Sequence, residues 1–153
     1  FFPIVDSIAE VCGIEDDSDL KRELLLGTYI KRSANLYFLS SEYRWLPQQE
    51  LRLTVDEAVR ALTACGTECG VIYRTTEPMR ASEVVRLFDL LEIVAETTVD
   101  DLRSLFISVS DSAMDLSVEC AADLSAIASP EVTVRQEDGL WLIRTGIRGR
   151  EDA

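Results

Sequence analysis

The chain reads as an α+β protein: an N-terminal helical hairpin followed by a two-layer α/β sandwich. Three observations predict this. Apolar residues recur at helical spacing in four segments, most regularly over residues 81–99, where Val84, Phe88, Leu91 and Ala95 form one face that Leu87, Val94 and Thr98 widen. From Leu105 onward the period falls to two. Leu105, Ile107 and Val109 alternate with Phe106, Ser108 and Ser110, and Met114, Leu116, Val118 and Cys120 alternate with Asp115, Ser117 and Glu119. Polar turns at residues 111–113 and 137–139 separate pairs of such strands, and the Asp138-Gly139 pair is a strong hairpin signal.

In chain order, residues 1–12 place Phe1, Val5, Ile8 and Cys12 on one helical stripe, with Ile4 and Val11 beside it, and Gly13 is a natural stop. Residues 15–19 form a polar loop with Ser18 or Asp19 as the cap, and a second helix follows from Leu20 to about Tyr43. A short polar loop between two helices folds them back on each other. The second helix carries one stripe of Leu20, Leu24, Gly27, Ala34 and Phe38 and another of Leu26, Tyr29, Ile30 and Tyr37. It must therefore cover two neighbours: the first helix, and either a second copy of the chain or the elements that follow. Leu46-Pro47 breaks the pattern and divides the chain into 1–46 and 47–150. Leu51, Val55, Val59 and Leu62 then mark a helix over 48–65 that ends at Gly66. A short strand at 71–73, a loop at 75–78, the helix of 81–99 and the two alternating strands come next. A small turn at 123–130 leads to strands around Val132-Thr133-Val134 and 140–143. This order suits helices lying on one face of a mixed, mostly antiparallel sheet. Trp45 is expected to anchor the two parts and Trp141 to lie on a strand face.

Charge and composition exclude several classes. With 28 Asp and Glu against 15 Lys and Arg, the formal net charge is −13, which opposes binding to nucleic-acid phosphates or to anionic lipid. Cys12, Cys65, Cys69 and Cys120 fall in apolar segments, and the Cys65-x-x-x-Cys69 pair has neither a second close pair nor any His to complete a zinc site. They are expected to be buried reduced thiols of a cytoplasmic protein, with no metal bound. No apolar run approaches the ~20 residues that span a bilayer, and no signal-peptide pattern is present, so this stretch is expected to make no direct membrane contact. It opens on Phe1-Phe2 in what reads as mid-helix, as a piece of a longer, membrane-attached protein would.

From Glu50 to Ile147 the layout resembles the ATP-binding domain of sensor histidine kinases, the gyrase and histidine-kinase type of ATPase. The residues that carry the likeness are the helix, Gly-containing turn and strand of 62–72, then a long helix with Glu92-x-x-x-Glu96, then a strand hairpin ending at residues 118–122. The hairpin of residues 1–43 resembles the dimerisation and phosphotransfer hairpin that precedes such a domain. The resemblance implies a signalling module of two-component type, a homodimer through the hairpin, a response regulator as partner, and ATP with Mg²⁺ as cofactors of a working kinase. Its cofactor-binding positions fall on Glu92, Glu96, Cys120 and Ala122.

The departures from the family pattern decide what those positions can do. Glu96 stands where the family has a metal-binding Asn, Cys120 where an Asp reads the adenine amino group, and Ala122 where the first Gly of that motif belongs. None of the seven glycines lies between Ala122 and Val132, where a Gly-rich lid would let backbone N–H groups approach the phosphates. The absence of any His removes the phosphoacceptor from this stretch. Glu92 and Glu96 could hold Mg²⁺ one helical turn apart, but a solvated acidic face with Asp89, Asp100 and Asp101 is the simpler reading, and no catalytic residue is assigned. The reading is a degenerate kinase-like module without bound nucleotide that dimerises and signals through protein contacts. The alternatives are a kinase core that binds ATP through an altered site, and a phosphotransferase or adaptor that docks a response regulator.

Overall fold

The computed structural model describes residues 17–148, without the side chains of residues 17–22 and 24–26. The expected helix over residues 1–12 lies outside the described residues, as do the side chains of Leu20, Leu24 and Leu26 of the expected stripes. The elements follow in the order α1 (Asp17–Glu42), β1 (Trp45–Leu46), α2 (Gln48–Ala64), β2 (Glu68–Tyr73), β3 (Met79–Arg80), α3 (Ala81–Thr98), β4 (Ser104–Val109) and β5 (Ala113–Glu119). A 3-10 turn (Ser125–Ile127) then leads to β6 (Val132–Glu137) and β7 (Leu140–Gly146).

The alternating segments pair into one five-stranded sheet in the order β2-β4-β5-β7-β6. Only β2 and β4 run parallel, because α3 carries the chain back between them; the other pairs are antiparallel. The register aligns Val71, Ile107, Leu116, Ile143 and Val134 in one row across all five strands on the inner face. Ile107, Leu116 and Ile143 in that row are buried, as are Leu105, Val109, Met114 and Val118 beside them. The opposite face is open: Ile72 and Phe106 are exposed there, and Arg144 pairs with Asp115 across β7 and β5 at 3.0 Å. Asp138 and Gly139 both adopt positive φ, 52° and 81°, the paired left-handed conformation that a two-residue hairpin between β6 and β7 requires. Gly66, at φ 95°, ends α2 in the same left-handed way.

α3 buries more than one stripe. Val84, Leu87, Phe88, Leu90, Leu91, Val94, Ala95 and Thr98 are all covered, because the helix has the sheet on one side and α1 on another. α1 lies across α2 and α3, with the Tyr29 ring 5.1 Å from that of Phe88 and Arg32 bonded to Glu57 of α2. Its inward side is Tyr29, Arg32, Leu36 and Leu39, at alternating spacings of three and four. The stripes read from the sequence are thereby re-sorted. Tyr29 faces the sandwich, whereas Ile30, Tyr37 and Phe38 are 61%, 77% and 62% exposed, with Ala34 exposed beside them. Among the described residues α1 is already helical at Asp17, three residues before the expected start. A small antiparallel ribbon of β1 and β3, pairing Trp45 with Arg80 and Leu46 with Met79, was not legible, since two-residue strands have no period to read. Leu46 and Met79 point into the core, and the Arg80 guanidinium lies 5.8 Å over the Trp45 ring.

Candidate functional site

The four positions singled out in the sequence fall on two elements. Glu92 and Glu96 sit one turn apart on α3, partly buried and exposed respectively. Burial raises the Glu92 carboxyl above the ordinary carboxylate range, and the neighbouring charges of Glu96 and Asp89 and a hydrogen bond with Glu96 raise it further. Both carboxylates act on the Tyr29 phenol of α1, whose titration is driven strongly upward by burial first, then by Glu92 and Glu96. The Tyr29 hydroxyl is buried and has no hydrogen-bond partner. This end of α3 therefore faces the α1 seam.

Cys120 follows β5 at the far end of the sheet. Its thiol donates to the Ala122 carbonyl at 3.6 Å. Burial and the Asp101 carboxylate push it above the usual thiol range, outweighing that bond, so it stays protonated and a poor nucleophile. Cys65, Cys69 and Cys120 are each only partly buried, less covered than their apolar contexts suggest. Cys120 lines an open cleft of about 890 Å³ with Asp100, Asp101, Leu102, Arg103, Glu119, Ala121, Asp138, Gly139 and Leu140. Glu92, Glu96 and Ala122 do not line it. The cleft presents four carboxylates and one guanidinium, and Oδ1 of Asp101 is buried there without a hydrogen-bond partner. Asp100 and Asp101 end the helix region, Glu119 ends β5 and Asp138 turns the last hairpin. Three polar turns separated along the chain meet because the topology brings them to one end of the sheet, which local patterns do not reveal. Among the described residues, no group of three or more His, Cys, Asp and Glu is placed to hold a metal ion.

No family model matches the chain, and no curated protein matches it. Solved structures do. One is the cytoplasmic segment of histidine kinase QseC, with a TM-score of 0.49 and 9% identity over 69% of this chain and 78% of that one. Another is the Acinetobacter baumannii histidine kinase AdeS, with a TM-score of 0.44 and 12% identity over 96% of this chain and 95% of that one. The α+β order of helices followed by a mixed five-stranded sheet stands on the coordinates themselves. Among the described residues, no helix is long and apolar enough to cross a membrane.

A second polar cluster, missed in the sequence, closes the other end of the sandwich. Glu83, buried in the first turn of α3, accepts Arg86 Nε and Nη2 at 3.0 Å each and the Arg148 backbone N–H at 2.8 Å. Arg86 also donates to Thr145 Oγ1 at 2.5 Å and to the Gly146 carbonyl. Burial alone would raise the Glu83 carboxyl, but the bonds from Arg86 and Arg148 and their charges outweigh it and hold the group below its usual range. The i, i+3 spacing of Glu83 and Arg86 was visible in the sequence, but the partner strand was not. The cluster is a clasp between the start of α3 and the end of β7.

Proposed function

We propose that the chain is a signalling module of histidine-kinase layout that acts through protein contacts, with residues 1–46 as the dimerising part and 47–150 as a sandwich that does not use nucleotide. The observation that carries this reading is the two-sidedness of α1. One side is fastened to the sandwich by Tyr29, Leu36 and the Arg32–Glu57 bond, while the other offers Ile30, Ala34, Tyr37 and Phe38 uncovered. An apolar strip on a 26-residue helix suits a parallel homodimer, each chain contributing its hairpin to a four-helix bundle, with a response regulator as the further partner. Static light scattering at micromolar concentration tests it. The parent is expected to run as a dimer and Phe38→Glu as a monomer with unchanged helix content. A parent that is monomeric at those concentrations would discard the seam.

Two features support the nucleotide-free part. Cys120, which the family resemblance aligns with an adenine-reading Asp, opens on a cleft where carboxylates outnumber cations. Each uncompensated like-charge pair at 4 Å costs a bound triphosphate about 1 kcal/mol in water and more where the site is partly dry. The connection from β5 to β6 is a short run through the 3-10 turn with no glycine, so it lacks the close backbone approach that a phosphate lid needs. Glu92 and Glu96 face the α1 seam and do not line the cleft of Cys120, so the four positions that the resemblance marks do not form one nucleotide pocket.

A further inference from the structure

β2 is an edge strand: in the order β2-β4-β5-β7-β6 no described strand pairs with its outer side. The Glu68 and Arg74 amides donate to the Arg103 and Val109 carbonyls at the two ends of the β4 seam. Amides two residues apart therefore turn toward β4, and those of Cys69, Val71 and Tyr73 turn toward the free edge. The opposite edge of the sheet is blunted by charge, since Arg135, Gln136 and Glu137 of β6 are all exposed there. β2 carries neither charge nor proline from Cys69 to Tyr73. On its outward face Ile72 is 56% exposed. The neighbouring Phe106 ring, 46% exposed, lies against Gly70, where an added Cβ would come within 2.9 Å of it.

The sequence of this edge is complementary to itself. Turned about a two-fold axis through Val71, the run from Glu68 to Arg74 sets Glu68 opposite the partner's Arg74 and Gly70 opposite the partner's Ile72. Both are pairs of the kind without mutual hydrogen bonds, because the edge-facing groups belong to Cys69, Val71 and Tyr73, so their side chains approach most closely, with Cα atoms about 4.5 Å apart. The missing side chain of Gly70 leaves the partner's Ile72 room to reach Phe106. Glu68 and Arg74 are exposed, and among the described residues neither has an ion-pair partner. We infer that β2 pairs antiparallel with β2 of a second copy of this chain about Val71, joining two sheets into one, with an ion pair of Glu68 and Arg74 at each end. The inference goes beyond the α1 seam and does not rest on it. A contact of one short strand per chain is of the weak class, with a dissociation constant of the order of hundreds of micromolar, above the concentrations at which the α1 seam is read.

Equilibrium sedimentation of the full chain carrying Phe38→Glu, which takes the α1 strip out of play, tests it at physiological ionic strength, where repulsion between chains of net charge −13 is screened beyond about 8 Å. The average mass should climb from monomer toward dimer between about 50 µM and 1 mM. Glu68→Arg alone, or Arg74→Glu alone, turns both symmetry-related attractions into repulsions and should weaken the association about tenfold. An equimolar mixture of these two variants should associate nearly as well as the parent, because each then meets its opposite charge, and so should the chain that carries both changes. A parent that stays monomeric at the top of that range overturns the pairing and leaves the edge to a strand of another protein. Single variants that associate like the parent, or a mixture that does not recover, overturn it too. Should either variant lose the parent's circular dichroism, exchange of the Val71 amide in the Phe38→Glu chain decides. It should slow as concentration rises through the same range, and a rate independent of concentration overturns the inference.

Discussion

Tyr29→Phe should make this protein more stable. The Tyr29 ring is almost fully buried between α1 and α3 and packs at 53° against Phe88, a tilted contact that a phenylalanine keeps unchanged. Its hydroxyl, by contrast, is buried with no partner, close enough to Glu92 and Glu96 for their charges to oppose its ionisation. A buried polar group left unsatisfied costs about 1–3 kcal/mol, so deleting the oxygen while keeping the ring should gain about 1 kcal/mol at the lower end of that range. For a chain of this size that raises Tm by about 2–4 °C. Urea denaturation followed by circular dichroism measures it: the midpoint should rise with the slope unchanged. A loss of about 1 kcal/mol or more would refute the reasoning, since it would mean that the hydroxyl is bonded to Glu92 or Glu96 and that this bond holds α1 to the sandwich.

Two further outcomes follow from the polar clusters. Glu83→Ala leaves Arg86 and the Arg148 amide without their acceptor and should cost about 2–4 kcal/mol, below the value for a fully buried pair because the Arg86 side chain is a quarter exposed. Adding Arg86→Met should recover much of that loss, and thermal melts of the single and double variants check both. Because the folded-state pKa of Glu83 is lowered, its contribution is present above the ordinary carboxylate range and is lost as pH falls through the folded value, so Glu83→Ala should resemble the parent most closely in acid. Glu92 has the opposite sign. Its folded-state pKa is raised, so the parent loses stability as pH rises from the ordinary carboxylate value through the folded one. Glu92→Gln should therefore be more stable than the parent at neutral pH, with the advantage disappearing below the carboxylate range; an advantage that grows in acid would contradict this sign.

Where residues report their surroundings by period, the fold was legible. The two strands read by alternation stand where it placed them, the strands at 132–134 and 140–143 lie within β6 and β7, β2 starts three residues before the expected 71–73, and α3 matches its stripe to within a residue at its C-terminal end. The Asp138-Gly139 turn was readable because only that backbone conformation closes so tight a hairpin. α1 was harder. Apolar residues on both sides of a helix announce two neighbours without saying which side each takes, and Tyr29 and Ile30, adjacent in sequence, went to opposite ones. The cleft was harder still, since Asp100, Glu119 and Asp138 belong to turns 19 residues apart in each step and meet only through the strand order. The Glu83 clasp depended likewise on β7 ending over the first turn of α3.

The proposed role of residues 47–150 as a sandwich that does not use nucleotide is open to direct measurement. Isothermal calorimetry with Mg-ATP and with a non-hydrolysable analogue tests it most directly. The account predicts no saturable heat below about 1 mM, since carboxylates around Cys120 and the missing glycines each weaken a micromolar site by about tenfold per 1.4 kcal/mol lost. A dissociation constant below about 100 µM, abolished by Glu92→Ala or by Cys120→Trp, would contradict it and restore the altered-site kinase.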